Sequence, residues 1–276
     1  MATHEREGSR DERAGGDGAA RDRRELDIAW GRVGPETIAP AWAGSRPRVA
    51  QAGAGGVAWL VRGDAPRAGQ SSLTVALALA WAARGSRVLV LDLDPAEDLA
   101  RTLHVGWALR PGTTHTLAHA LDAGWLDPAP SLVAGLDVAS LGALPAQRPL
   151  LAGVAPPPIA KLLPRRYDRV LIDLPYAAGL PGLTALATAR VDVLRSGGDQ
   201  GVGPCTSGLP RCVATIVNAA DGVCAGGGPV LRFPAFDRSD LGPWGLLTGA
   251  AGPRAEYAAL EITRALDGLG VQGGAA

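Results

Sequence analysis

The stretch Val57–Pro95, VAWLVRGDAPRAGQSSLTVALALAWAARGSRVLVLDLDP, constrains the fold more than any other part of the chain. Val57–Arg62 is an apolar run of strand length, followed by a loop that contains Gly63 and Gly69. Ser71–Ala83 has helical length and almost no polar face, so as a helix it must be buried against a sheet. Arg84-Gly85-Ser86 is a helix stop, and Arg87–Leu93 is the short continuous apolar run expected of a central parallel strand. Strand, loop, buried helix and strand in this order form one right-handed βαβ unit.

Similar units recur. Leu136–Leu141 reads as a weaker strand, Arg169–Leu174 (RVLIDL) as a second strongly buried one, Val191–Leu194 as a stub and Cys212–Val217 as a further strand, with Val230–Phe236 extended. Helical turns are expected at 96–104 and at 114–122, the latter capped by Thr113 or Thr114. Longer helices are expected at Leu180–Ala189 and at Arg254–Leu269, the latter amphipathic and the last element. Ile159–Leu163 is a short apolar segment before Arg165-Arg166-Tyr167-Asp168, and 195–209 is Gly-rich and aperiodic, hence loop. Alternating strands and helices predict an α/β fold: a doubly wound, mostly parallel sheet with helices on both faces. The domain spans 57–270. Ahead of it, 1–28 is a mixed-charge segment with six Arg against eight Asp or Glu, for which disorder is the default. An irregular linker, 29–56, carries Trp30 and Trp42, read as locally packed.

Charge and cysteine content narrow the function classes. Lys and Arg total 27 and Asp and Glu total 27, so no net basic surface points to nucleic acid, whose non-specific binding rests on Lys and Arg facing phosphates. No apolar run reaches the roughly 18 residues of a membrane span, and the charged N-terminus lacks an apolar signal core. Cys205, Cys212 and Cys224 match no zinc spacing and read as free thiols of a reducing cytoplasm. His115 and His119, four apart, would share a helix face; they read as exposed polar residues, not as a metal site.

Three features carry chemistry. The first is the loop ending in Gly69-Gln70-Ser71-Ser72. The second is Asp92-Leu93-Asp94-Pro95 at the end of the next strand. The third is Asp173 near the end of Arg169–Leu174. In a doubly wound sheet all three meet at the carboxyl edge, where ligands bind. A loop of backbone N–H groups feeding a helix N-terminus wraps polyphosphate. Hydroxyls that open the helix can hold Mg²⁺, and strand-end carboxylates complete the metal site. A loop of this type usually has Lys after its last Gly, and here that position is Gln70.

These residues resemble the deviant-P-loop ATPases of the MinD/ParA group and, within it, the cellulose-biosynthesis BcsQ (YhjQ) family. The likeness runs from Gly69-Gln70-Ser71-Ser72 through LAWAARGSRVLVLD, Ala118–Leu126, Leu136–Leu144 and Tyr167–Pro175, with weaker matches near Phe233–Arg238 and Glu256–Ile262. It implies ATP and Mg²⁺ as ligands. Backbone amides at Gly69 and Gln70 would hold the β-phosphate, Ser71 would ligate Mg²⁺ and Ser72 would reach the α-phosphate. Asp92 and Asp94 would hold the metal-bound water or orient the attacking one, Asp92 also counting with Ser71 and Asp173 among the Mg²⁺ residues, and Asp173 would be the Walker-B carboxylate. Asn218 matches a base-contacting Asn, or simply caps a strand end. A Gly-Gly turn preceded by a cation is replaced by Ala65-Pro66-Arg67, with Arg62 or Arg67 as substitutes for the lost charge. The resemblance further implies a homodimer that supports the cellulose synthase complex at the inner membrane from the cytoplasm, without inserting into the bilayer. A degenerate, non-hydrolysing scaffold and a partition or positioning ATPase are the alternatives. Whether ATP is hydrolysed is left open by a loop of this composition.

Overall fold

A computed structural model describes residues 57–65, 67–94, 98–103, 115–141, 166–174, 187–195, 212–218, 230–234 and 242–269. The expectations for 1–56, for Ile159–Leu163 and for the Gly-rich loop after Arg195 lie outside these residues, as do Cys205 and Cys224.

The strands are β1 (Val57–Gly63), β2 (Val88–Asp92), β3 (Ala129–Pro130), β4 (Leu136–Ser140), β5 (Arg169–Leu174), β6 (Ala189–Arg195), β7 (Cys212–Asn218) and β8 (Val230–Phe233). The helices are α1 (Gln70–Ala83), α2 (Asp98–Leu103), α3 (Leu117–Ala123), α4 (Gly242–Thr248) and α5 (Pro253–Gly268). One eight-stranded sheet runs in the order β3-β4-β2-β5-β1-β6-β7-β8. Every pairing is parallel except β3 with β4. The doubly wound sheet expected from the sequence is therefore present.

Strand alternation sorts the core into two layers. Trp59, Val61, Val88, Val90 and Leu171 face one way and pack with α1, α2, α4 and α5. Ala58, Leu60, Leu89, Leu91, Val170 and Ile172 face the other way and pack with Leu117 and Ala120 of α3 and with Tyr167. Helices thus cover both faces. Helix α1 buries ten consecutive residues, Leu73–Ala82, which explains a sequence with no polar face: it is enclosed by the sheet, α4 and α5.

Below α1, at the end of the sheet away from the loop, one carboxylate ties three elements. Asp267 of α5 accepts from Trp81 Nε1 at 3.2 Å, from Arg84 at 2.8 Å and from Arg169 at 2.9 Å. Trp59 and Trp81 lie against each other beside this junction, with ring centroids 5.8 Å apart.

Several expectations need correction. The 114–122 helix is capped by Thr116, whose side chain accepts from His119 N–H, and not by Thr113 or Thr114. It starts at Leu117, so His115 lies outside it and shares no helix face with His119. The His115 ring pairs with the Asp127 carbonyl at 2.6 Å, and His119 meets the exposed Trp125 edge-on. Residues 180–186 of the helix expected at Leu180–Ala189 lie outside the described residues, and its last residue, Ala189, opens β6 and pairs with Trp59. The stub expected at Val191–Leu194 is a longer strand, β6, with Val191 and Val193 buried. Strand β8 ends at Phe233 rather than Phe236. Asp267, on the amphipathic last helix, is a tertiary anchor. Helix α4 and strand β3 were not expected at all.

Candidate functional site

The site forms where β1, β2 and β5 end. In register, Asp92 lies beside Asp173 on neighbouring strands, and alternation turns both toward the α1 side of the sheet. Both carboxylates are completely buried, at 0% exposure. Strand β1 ends one residue past Arg62, which is opposite Leu174, and the chain then turns into the loop that leads to α1. The loop is shaped by backbone geometry. Asp64 N–H donates to the Val193 carbonyl at 3.0 Å, and Ala68 N–H to the Ala65 carbonyl at 3.2 Å. Arg67 takes φ 62°, the one non-Gly left-handed residue among those described, and Gly69 takes φ 90°. Arg67 occupies one of the positions where the resembled family has Gly, so the turn that Gly would make freely is kept at some strain.

Gly69 is the N-cap of α1 and offers no side-chain oxygen. The first-turn N–H groups of a 14-residue helix therefore face the loop without a side-chain cap, with the positive end of the helix dipole behind them.

Ser71 and Asp173 meet here, although 102 residues separate them: Ser71 Oγ donates to Asp173 Oδ2 at 2.7 Å. Thr74, one turn along α1, donates from Oγ1 to the Gln70 carbonyl at 2.9 Å and lies 3.4 Å from Asp173 Oδ1. Burial, together with the nearby Asp94 charge, pushes the Asp173 carboxyl up to about 7, against the pull of the Ser71 and Thr74 hydroxyls. The groups that act on it are hydroxyls and another carboxylate, with no cation among the described residues. A buried carboxylate in that state suits a site that receives a cation with its ligand.

The other residues singled out in the sequence fall around this pair. Asp92 accepts the Asp94 N–H on its Oδ1 at 3.0 Å, so its carboxylate caps its own strand end. Asp94 is partly exposed at the mouth. Leu93 N–H donates to the Asp173 carbonyl at 3.0 Å and locks the two strand ends together. Ser72 follows Ser71 on the first turn of α1. Arg67 is exposed on the loop, whereas Arg62 occupies the register position that faces the sheet side opposite α1. Asn218 closes β7, its backbone paired with Arg195 and Phe233. No group of three or more His, Cys, Asp or Glu among the described residues is arranged to hold a metal.

Gln70 departs most from the usual loop. Its Oε1 accepts the Gly63 N–H at 3.0 Å, and its Nε2 donates to the Leu174 carbonyl at 2.7 Å. Sequence reasoning noted the missing Lys but had no signal for this bridge, because Leu174 is 104 residues away. Thr74 was missed as well; a hydroxyl inside an Ala/Leu helix one turn past Ser71 was the available clue.

The family described as cellulose biosynthesis protein BcsQ matches residues 60–218, more than half of the chain. No curated protein matches it in sequence. Solved structures do match in fold. A ParA family ATPase from Chlorobium tepidum is 15% identical with a TM-score of 0.58, covering 76% of this chain and 98% of that one. The MinD of Pyrococcus horikoshii, solved with Mg-ADP, is 17% identical with a TM-score of 0.54, over 79% and 98%. Cobyrinic acid a,c-diamide synthase from Mycobacterium smegmatis, solved with an ATP analogue and magnesium, is 18% identical with a TM-score of 0.57, over 76% and 94%.

Proposed function

The chain belongs to the family of the cellulose biosynthesis protein BcsQ, and on that premise we propose that it is a Mg²⁺-dependent ATP-binding protein serving the bacterial cellulose synthase complex. The observation that carries the nucleotide half of this reading is the 2.7 Å bond between Ser71 and the fully buried Asp173. It places a loop hydroxyl and a strand-end carboxylate side by side under uncapped helix N–H groups.

In this reading the amides of Gly69, Gln70 and Ser71 bind the β-phosphate, and Ser72 approaches the α-phosphate. Ser71 and Asp173 would hold Mg²⁺, with Asp92, the register neighbour of Asp173, beside them. Bound Mg²⁺ offsets phosphate charge and compensates the buried carboxylate. Asp94, partly exposed, would orient the attacking water by accepting its hydrogen bond. Arg67 lends positive charge from the loop rim, and Asn218 lies at the strand end where a base would rest.

The protein acts as a homodimer in the cytoplasm and reaches the membrane through subunits of the synthase complex. No helix among the described residues is long and apolar enough to cross a membrane, and the chain's charges balance. A non-hydrolysing scaffold is the second reading, and the neutral Gln70 in place of a loop Lys, its amide held by backbone, favours it. A partition or positioning ATPase acting on DNA is disfavoured by the same charge balance.

Equilibrium binding of labelled ATP, with and without Mg²⁺, tests the proposal against an Asp173→Ala variant. Mg²⁺-dependent binding that the variant loses supports it. Absence of binding at millimolar ATP leaves the fold serving only as a scaffold.

A further inference from the structure

We propose that Gln70 is a pin that closes the root of the loop, and that its neutral amide makes the site accept nucleoside di- and triphosphates with similar affinity. The affinity half of this inference rests on the nucleotide reading above; the pin itself does not.

The β1–β5 ladder ends at Arg62 opposite Leu174. One residue further, Gly63 is still paired with Val193 of β6 but has run past the end of its pairing with β5, and its N–H faces no β5 partner. The Gln70 amide enters between the two strand ends, accepting from Gly63 at 3.0 Å and donating to Leu174 at 2.7 Å. It adds one rung that neither strand can supply. Such a position needs an acceptor and a donor on one terminal group. A primary amide has both, and an ammonium has only donors. A Lys here would leave the Gly63 N–H unpaired. The fit is close on the other side too: a Cβ on Gly63 would lie 2.4 Å from Gln70 Oε1 and 3.2 Å from both the Ala65 carbonyl oxygen and Ala68 Cβ, so a larger residue there would displace the Gln70 amide.

The consequence concerns charge. A loop Lys reaches the β- and γ-phosphates, and it is the group that responds to the extra charge of a triphosphate. Gln70 has one N–H bound to Leu174 and no charge. Phosphate recognition then falls to backbone N–H groups and the α1 dipole, which act mainly on the phosphates nearest the loop, with Mg²⁺ and the exposed Arg67 of the loop as the remaining positive charges.

The test uses the full chain, Gln70→Ala and Gln70→Lys, each first shown to be folded by circular dichroism. Fluorescent ADP and ATP analogues with Mg²⁺ are titrated, and amide exchange at Gly63 is followed in the nucleotide-free protein. Wild type is expected to bind both analogues within roughly threefold of each other. Gln70→Lys should raise the ATP-to-ADP affinity ratio by roughly tenfold or more, the worth of a charge-assisted hydrogen bond. Gly63 exchange should be faster in both variants. A tenfold ATP preference in wild type that Gln70→Ala abolishes would overturn the affinity claim, since Gln70 would then itself read the third phosphate. Unchanged Gly63 exchange in Gln70→Ala would overturn the pin. Failure of wild type to bind either analogue would refute the nucleotide reading and the affinity claim with it, while Gly63 exchange still decides the pin.

Discussion

Replacing Asp173 by Asn removes a charge that the nucleotide-free fold holds under strain, and the effect has a calculable size and sign. Free Asp titrates near 3.8, whereas in the fold the carboxyl is pushed up to about 7, burial being the main cause. Between those two values the folded protein keeps a proton that the unfolded chain has released. Stability is therefore fullest below the unfolded value, falls as pH rises through this window, and levels off above about 7. A shift of about 3 units at 1.36 kcal/mol each sets the upper bound at roughly 4 kcal/mol. Asn has nearly the same shape, can keep hydrogen bonds with Ser71 and Thr74, and does not titrate. Urea unfolding of wild type and Asp173→Asn in chelator, from pH 4 to 8.5, measures the difference. The variant should be about as stable as wild type near pH 4 and more stable by roughly 2–4 kcal/mol near pH 8, while losing Mg²⁺-dependent nucleotide binding. A wild-type-to-variant difference that is the same at pH 5 and pH 8.5 would refute the reasoning, because the buried carboxylate would not be titrating between them.

Three further outcomes follow from particular contacts. Asp267→Ala should lower unfolding stability by about 2–3 kcal/mol in urea titration, mostly from the unpaired Trp81 Nε1 and Arg169, with little from the more exposed Arg84; a loss below about 0.5 kcal/mol would show that the junction does not hold α5. Thr74→Val removes a hydroxyl that draws the Asp173 carboxyl down, so the pH window of the stability loss should move upward relative to wild type, and an unmoved window contradicts the contact. Arg67→Gly relieves a left-handed penalty of about 1 kcal/mol at φ 62°, so stability should hold or rise slightly. Its proposed phosphate role predicts roughly tenfold weaker Mg²⁺-nucleotide binding, and unchanged binding in a fluorescence titration would remove Arg67 from the site.

What could be read from the chain follows the range of the physics involved. β1, β2, β5 and α1 are continuous apolar runs of the right lengths, because elements buried on every side leave no polar residue to confuse the pattern. Asp92, Asp173 and Ser71 were legible for a related reason: the two Asp lie at the ends of apolar strand runs and Ser71 just before the apolar run of α1, and sheet topology brings these ends together. The Thr116 cap was missed because three nearby Thr compete for that role, and only the dihedral angles choose among them. Helix α4, GPWGLLT, contains two Gly and a Pro; tertiary packing of Leu246 and Leu247 onto the core overrides its poor propensity. The Gln70 bridge and the Asp267 junction depend on partners about 100 or more residues away in sequence. No local pattern encodes such pairs, so Gln70 read as a missing cation and Asp267 as one charge among several on a helix surface.

The central claim is that the edge where the 63–72 loop meets Asp173 is a Mg²⁺-nucleotide site. Amide hydrogen exchange with and without Mg²⁺ and ATP locates the ligand directly. The account predicts slower exchange at Gly69–Ser72 and at Asp173–Leu174, dependent on Mg²⁺ and abolished in Asp173→Ala. Binding that protects another part of the sheet, or leaves exchange at the loop unaltered, would contradict it.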